Sequence, residues 1–365
     1  MLQLRTNLLL TFVSQRIKST REPSVETNTA TQQPTMVTYR ALWGLTLLSS
    51  AFQTLATPTR LAKADLAVVA HVPDVKTLEN LAVRHDGNIL VTSTTSPVIH
   101  YISLTGHHSS TPIAKVPGFV AVTGIVELER DVFYVASTNL TGAHGTNAVW
   151  KLDMRHFELT SKGRIDRPTA LSLVVNVPDA KVLNGMTKLD QNHILVSDSA
   201  AGTVTKVNVN TSKYDVVLQN AVLSSTPTGL GIGVNGIRTY KGRLYFVNLD
   251  QQLFASLPIS SSTGAATGNV DVILNGTLEA ADDFTLSRDG KKAWIAENGQ
   301  NVLVEVDIKA KTSRIAANCT VLGSISSVAL GRAKHDRDSV YITGARNVEG
   351  VSVAGQLIEA RHIAK

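Results

Sequence analysis

Cysteine is almost missing from this chain of 365 residues. Cys319 stands alone, which excludes an internal disulfide and leaves no thiolate set for a zinc site. Aromatic residues are scarce at 5%, so a module that works through an exposed aromatic patch has little to build one from. A basic body is missing too, once the formal charge of +6 is located. Residues 1–64 hold seven Lys or Arg and two acids, and the remainder holds 28 basic against 27 acidic residues. A nearly neutral body carries no phosphate-tracking surface, so nucleic acid is not an expected partner. The longest apolar run, Ala41–Leu55, is too short for a membrane-spanning helix. Gly229-Leu-Gly-Ile-Gly-Val precedes a strand pattern and no helix, which rules out a phosphate loop. Ser197, Ser199 and Ser287 lie in no nucleophile elbow.

The basic segment reads as a leader. Residues 1–35 show no strand pattern, and Ser19–Thr35 has a disordered composition, so this stretch is expected to be an upstream extension. From Met36, Arg40 followed by Ala41–Leu55 and the Ala-x-Ala of Ala62-Lys-Ala64 predicts a secretory signal peptide over 36–64. A competing reading takes the basic, acid-free stretch Leu2–Arg21 as an organellar transit segment. Asn-x-Ser/Thr sequons at Asn139, Asn210, Asn275 and Asn318 are expected in turns or loops and fit glycosylation of a secreted protein.

Residues 65–365 repeat one grammar. From Leu183 to Leu218 four short strands follow one another with turns at Gln191-Asn192, Ala201-Gly202 and Thr211-Ser212. Comparable openings occur at Glu79, Thr123, Asn184, Asn235, Asp282 and Ser326, separated by 44, 61, 51, 47 and 44 residues. That spacing suits four-stranded propeller blades. The expected fold is all-β, a single six-bladed β-propeller domain, monomeric. Its last blade shows three strands, Ser326–Leu330, Ser339–Thr343 and Gln356–Ala360, so the N-terminal strand Leu66–Val72 is expected to close the ring as the missing outer strand.

In such a ring the inner strands all begin at one mouth. Glu79, Thr123, Asn184, Asn235 and Asp282 are therefore the candidate catalytic residues, with the weak ligand Ser326 completing the circle. Glu79, Asn184, Asn235 and Asp282 offer oxygens to Ca²⁺ or another hard divalent cation, held loosely. Mouth-face loops add Ser93–Pro97, Asn139–Thr146, Asp198, Ser199, Asn248–Gln251, Glu297, Asn298 and Ala345–Asn347. Lys181, Arg84 and Arg238 flank the openings without an orientation that pattern alone can give. Trp150 and Trp294 read as packing anchors.

These openings resemble the gluconolactonase and regucalcin-like propellers, whose Glu, two Asn and Asp metal ligands correspond to Glu79, Asn184, Asn235 and Asp282. The triplets here, Leu183-Asn-Gly185, Val234-Asn-Gly236 and Ala281-Asp-Asp283, depart from that family's Pro-Asp-Gly or Pro-Asn-Gly signature. The layout of residues 79–84, 123–125, 149–153, 183–186, 233–237 and 282–284 is more similar to secreted fungal propellers of natural-product pathways, some of which are hetero-Diels–Alderases. That resemblance implies a pericyclase that needs no cofactor and couples a tropolone- or polyketide-derived quinone methide to a terpene alkene such as humulene, an apolar small-molecule substrate, in meroterpenoid biosynthesis. A divalent-metal-dependent lactonase or esterase is the alternative it leaves open. A non-catalytic secreted binding propeller is the third.

Overall fold

In the computed structural model, residues 65–104 and 109–364 are described; the expected extension, leader and transit segment lie outside them. Apart from a two-stranded hairpin and two single-turn 3₁₀ segments, the regular structure of these residues is six four-stranded antiparallel sheets. From the inner strand outward, blade one is Leu81–Val83, Ile89–Val91, Val98–Ile102 and Ser110–Lys115, and blade two is Ala121–Glu129, Val132–Thr138, Asn147–Asp153 and Ala170–Asn176. Blade three is Leu183–Lys188, His193–Asp198, Thr203–Asn208 and Tyr214–Gln219; blade four is Val234–Tyr240, Arg243–Asn248, Leu253–Pro258 and Asp271–Asn275. Blade five is Ala281–Leu286, Lys292–Glu297, Val302–Asp307 and Thr312–Asn318. Blade six takes Ile325–Leu330, Val340–Val348 and Val351–Arg361 from the C-terminal end, and the N-terminal strand Asp65–Val72 pairs antiparallel with the last of these. The ring is closed by joining the two ends of the described chain in one sheet.

The core is six wedges, one between each pair of neighbouring blades. Phe133 and Leu152 of blade two pack against Leu90 and Ile99 of blade one. Phe254 of blade four meets Phe284 of blade five edge-on, with ring centroids 5.0 Å apart. Trp294 is sealed between blades five and six, while Trp150 is half-buried and donates its indole N–H to Ser137 Oγ. Each fully buried Leu, Ile or Phe contributes roughly 1.5–3 kcal/mol. Blades of 40-odd residues gain that only against a neighbour, so the ring stands or falls as a unit.

Every outer strand carries one extra residue at the same place. Val69, Ile113, Val174, Val217, Ile273 and Ala316 are each skipped in the register with the third strand. A bulge twists the exposed edge away from further pairing. It also turns the extra apolar side chain inward, where it joins the adjoining wedge.

Two details depart from the sequence expectation. The 61-residue interval holds an added hairpin, Glu158–Leu159 with Ile165–Arg167, between the third and fourth strands of blade two. In blade six the second and third strands run on to a two-residue turn at Glu349-Gly350, whose φ values of 51° and 79° suit a tight primed turn. Residues 344–355, expected as loop, are therefore mostly strand. Among the described residues no helix is long and apolar enough to cross a membrane.

Candidate functional site

The site is made by a second set of bulges. In blades two to six the inner strand gains one residue over its neighbour where the opening residue sits, between Val122 and Ile125, Leu183 and Met186, Val234 and Ile237, Ala281 and Phe284, and Ile325 and Ser327. Such a bulge re-aims consecutive side chains. The first position, occupied in turn by Glu79, Thr123, Asn184, Asn235, Asp282 and Ser326, lies at the mouth. The second position, occupied by Asn80, Gly124, Gly185, Gly236, Asp283 and Ser327, meets the next blade.

Three second positions are glycine because the neighbour is already there. A Cβ at Gly185 would sit 2.5 Å from the Asn235 carbonyl oxygen, and one at Gly236 would sit 2.0 Å from Asp283 Oδ1. The other three are polar and bonded together. Ser327 Oγ lies 2.8 Å from Asp283 Oδ2 and 3.2 Å from Asn80 Oδ1, and Arg238 Nη2 donates to the same Asp283 oxygen at 2.8 Å. Of this buried line through blades four, five, six and one, Arg238 is named from the sequence without an orientation, and Asn80, Asp283 and Ser327 are given no role. Its signal was polar residues standing where the remaining blades have glycine.

Hydroxyls on the second strands, or directly after them, lock neighbouring inner strands at this level. Thr92 Oγ1 donates to the Thr123 carbonyl at 2.6 Å, Ser197 Oγ to that of Asn235 at 2.7 Å, and Thr343 Oγ1 to that of Glu79 at 2.7 Å. Thr123 does the same from an inner strand, donating its own hydroxyl to the Leu183 carbonyl at 2.8 Å. Its side chain is fully buried, so its proton is committed to the latch between blades two and three.

The acids behave otherwise. Asp282 accepts from Asn235 Nδ2 at 2.7 Å and Asn298 Nδ2 at 2.9 Å, yet burial and the neighbouring Asp283 charge push its carboxyl up to about 7. Glu79 is 8% exposed, and its carboxyl makes no hydrogen bond among the described residues. Burial first, then the charges of Asp282 and Asp283, hold it well above the usual carboxylate range. Asn184 is also buried, and its Oδ1 has no partner among the described residues. Asn235 is thus bonded to Asp282, and Glu79 lies near enough to Asp282 to be raised by its charge. Asn184 stands at the mouth with an unsatisfied acceptor.

This donor set fits a hard divalent cation. The orphaned Asn184 oxygen, the unbonded Glu79 carboxylate, the Asn235 oxygen and Asp282 together supply oxygen ligands and a surplus of negative charge. Among the described residues no three His, Cys, Asp or Glu side chains form a metal-binding group, so amide oxygens would have to complete the shell.

Asp198, Asn248 and Asp250 are structural. Asp198 accepts from the backbone N–H groups of Lys181, Val182 and Ala201, and Asn248 donates to the Val222 and Ser224 carbonyls. Asp250 receives the N–H groups of Thr226, Leu230, Gly231 and Ile232, so the glycine-rich loop already holds an anion, the chain's own. Arg84 lies at the opposite end of the channel. Two surface concavities, of about 290 and 150 Å³, also belong to that opposite face, near Arg337 and Arg361 and near Tyr240 and Ile259. They are nowhere near the acids. Of the sequon residues, Asn210, Asn275 and Asn318 are exposed, the last two ending outer strands, while Asn139 is half-buried and accepts from the Val120 N–H.

No family model matches this chain. Comparison with solved structures nevertheless returns a calcium-binding regucalcin from Agrobacterium tumefaciens at TM-score 0.58 and 14% identity, over 82% of this chain and 95% of that one. Its fold is similar to that of regucalcin. A luciferin-regenerating enzyme matches equally, at TM-score 0.58 and 15% identity over the same shares of the two chains. In sequence, the chain is 22% identical over 302 residues to a Phoma sp protein, covering 74% of this chain and 84% of that protein. It is 25% identical over 207 residues to a Sarocladium schorii protein, covering 50% and 51%. Both relatives bear the name "Putative hetero-Diels-Alderase".

Proposed function

We propose that this chain is a hetero-Diels–Alderase-type enzyme of secondary metabolism, joining a quinone methide to a terpene alkene. The likeness to the two fungal proteins supports the reaction class. The observation that carries the reading is the buried pair Glu79 and Asp282, two carboxyls whose protons are retained toward neutral pH at the mouth of a rigid ring. A neutral Glu79 is an acid aimed at bound substrate. It gives its proton to the leaving hydroxyl of a quinone-methide precursor, water departs with the C–O electron pair, and the ring hydroxyl proton passes to solvent. Solvent reprotonates Glu79. The cycloaddition then forms one C–C and one C–O bond with no proton transfer, and the enzyme's part is to hold diene and alkene in contact. Asn184, whose side chain makes no hydrogen bond among the described residues, donates its NH₂ to the oxygen on which charge develops.

The test is turnover of a tropolone-derived benzylic alcohol with humulene. Acceleration and a single enantiomer are expected from wild type. Glu79→Gln should lose the dehydration step while keeping the cycloaddition of a quinone methide generated chemically. Absence of acceleration with either diene source would end the proposal.

The orphaned Asn184 oxygen favours one second reading, a metal-dependent lactonase or esterase. Glu79, Asn184, Asn235 and Asp282 would hold the cation, which when bound polarises a carbonyl and lowers the pKa of water. Calcium binding measured by calorimetry, and its loss in Glu79→Gln, tests this directly. Secretion through the leader, monomeric behaviour and glycans on Asn210, Asn275 and Asn318 belong to the proposal as well. A mass shift of the secreted protein on deglycosylation checks the glycans.

A further inference from the structure

The residue that follows each second strand takes the same place in successive blades. Leu183 pairs with Asp198, Val234 with Asn248, Ala281 with Glu297 and Ile325 with Gly344, so Ser199, Leu249, Asn298 and Ala345 are equivalent. Each donates its backbone N–H to the carbonyl two residues before its own blade's opening residue, that of Val182, Gly233, Ala280 and Ser324 in turn. In blades one and two the same register count puts Thr94 and Thr138 at this place.

Blade five shows where the side chain goes. Asn298 reaches back to the mouth and donates Nδ2 to Asp282 Oδ2 at 2.9 Å. Blade three repeats the geometry one residue earlier, where Asp198 accepts the Val182 N–H as Glu297 accepts that of Ala280. Ser199 therefore stands over Asn184 as Asn298 stands over Asp282. In blade three, however, the pair is open. Ser199 is 2% exposed and its hydroxyl has no partner among the described residues, and neither has Asn184 Oδ1. Each orphan is a cost to the folded state. They are also complementary, because a serine hydroxyl donates and an amide oxygen accepts.

We propose that Ser199 is a positioning residue for Asn184: as substrate binds, its hydroxyl donates to Asn184 Oδ1 and fixes the amide with its NH₂ toward the substrate oxygen. The inference rests on the hetero-Diels–Alderase reading, in which that NH₂ meets the oxygen where charge develops. A donor behind the amide oxygen polarises the amide and strengthens its N–H. It also removes the freedom of a side chain that nothing else holds, so orientation is supplied before the reaction begins. No proton changes owner. Asn298 holds Asp282 in the same way, with the bond already made.

The experiment follows cycloaddition of a chemically generated quinone methide with humulene. Ser199→Ala should lose about tenfold in kcat with KM within twofold of wild type. Ser199→Thr, the residue type of blades one and two, should keep at least half of wild-type kcat. Ser199→Ala/Asn184→Ala should be no slower than Asn184→Ala, because the hydroxyl acts only through that amide. Unchanged kcat in Ser199→Ala, or losses that multiply in the double variant, overturn the proposal. If wild type gives no acceleration, the parent reading fails on its own terms, and binding of the tropolonate anion, whose oxygens carry the charge the reaction develops, decides Ser199. Ser199→Ala should bind it at least fivefold more weakly, and equal binding, or none by either protein, overturns the role. Loss of calcium binding at unchanged tropolonate affinity would overturn it too, by making the hydroxyl a cation ligand. The free protein gives a check that needs no ligand. With its hydroxyl unbonded there, Ser199→Ala should unfold at the wild-type urea concentration or a higher one. A lower midpoint would show a bond already made and overturn the open pair.

Discussion

At the lower end of the channel Arg84 donates to Asp131 at 2.9 Å and to Asp86 at 2.8 Å, Lys188 reaches the Leu128 carbonyl, and Arg288 reaches the Gly331 and Arg337 carbonyls. Arg332 spans from blade six to the Val83 carbonyl of blade one and the Glu127 carboxylate of blade two. At the upper end, Glu79, Asp282 and Asp283 crowd together with one guanidinium, Arg238, and that one is bonded to Asp283. The same six inner strands make both ends. At the lower end each of these cations is bonded across blades, to a carboxylate or to carbonyl oxygens. Unmatched buried acid raises the free energy of the folded state and persists where it has another use.

The largest effect should come from breaking the lower end. Asp131→Ala removes the more buried of the two carboxylates that hold Arg84 and leaves Asp86, one-third exposed, as its remaining partner. A loss of about 3 kcal/mol in denaturant unfolding is expected. A loss below about 1 kcal/mol would mean that the lower pairs are as dispensable as surface ones.

The upper end should respond with the opposite sign. Asp282 holds its proton to about 7 in the folded protein, against about 3.9 for an unfolded carboxyl. Its contribution to stability is therefore fully present below pH 4 and is lost as pH rises through 7, a few kcal/mol at most. Asp282→Asn should flatten stability between pH 4 and 8 and be at least as stable as wild type at pH 8, even though an amide there meets the Asn235 and Asn298 NH₂ groups less well. Glu79 is raised in the same direction, and its carboxyl has no bond to lose. Glu79→Gln should gain on wild type as pH rises from 5 to 8. Unfolding curves that run parallel for wild type and both variants would remove the contrast between the two ends.

The upper half of this contrast was legible in the sequence, for a physical reason. Strand repeats announce themselves through period-two patterning, and equivalent positions in repeats share a place in space, so Glu79, Asn184, Asn235 and Asp282 could be set at one mouth. Closure by residues 66–72 followed from counting strands in blade six. Hidden were properties that depend on neighbours in other blades. The burial of Thr123 in a latch, the line from Asn80 through Ser327 and Asp283 to Arg238, and the lower position of Arg84 require the angle between sheets. The extension of blade six is hidden because its tip, Glu349-Gly350, lacks the Asn-Gly or Asp-Gly signal of a tight hairpin turn.

The smallest effect tests whether matching at the lower end is cooperative. Arg332 is 43% exposed and Glu127 only 15%, so the pair straddles the boundary between surface and interior. An isolated exposed pair contributes about 0–1 kcal/mol. Glu127 also accepts the Asp131 N–H, the residue that holds Arg84. Arg332→Ala alone should therefore cost about 1 kcal/mol and leave the pH dependence of stability as in wild type. Combined with Asp131→Ala it should cost less than the sum of the two, because both changes loosen the same turn between Glu127 and Val132. Strict additivity in that double-mutant cycle would show two separate ion pairs, and the lower end would then be matched by coincidence of position, without a shared network.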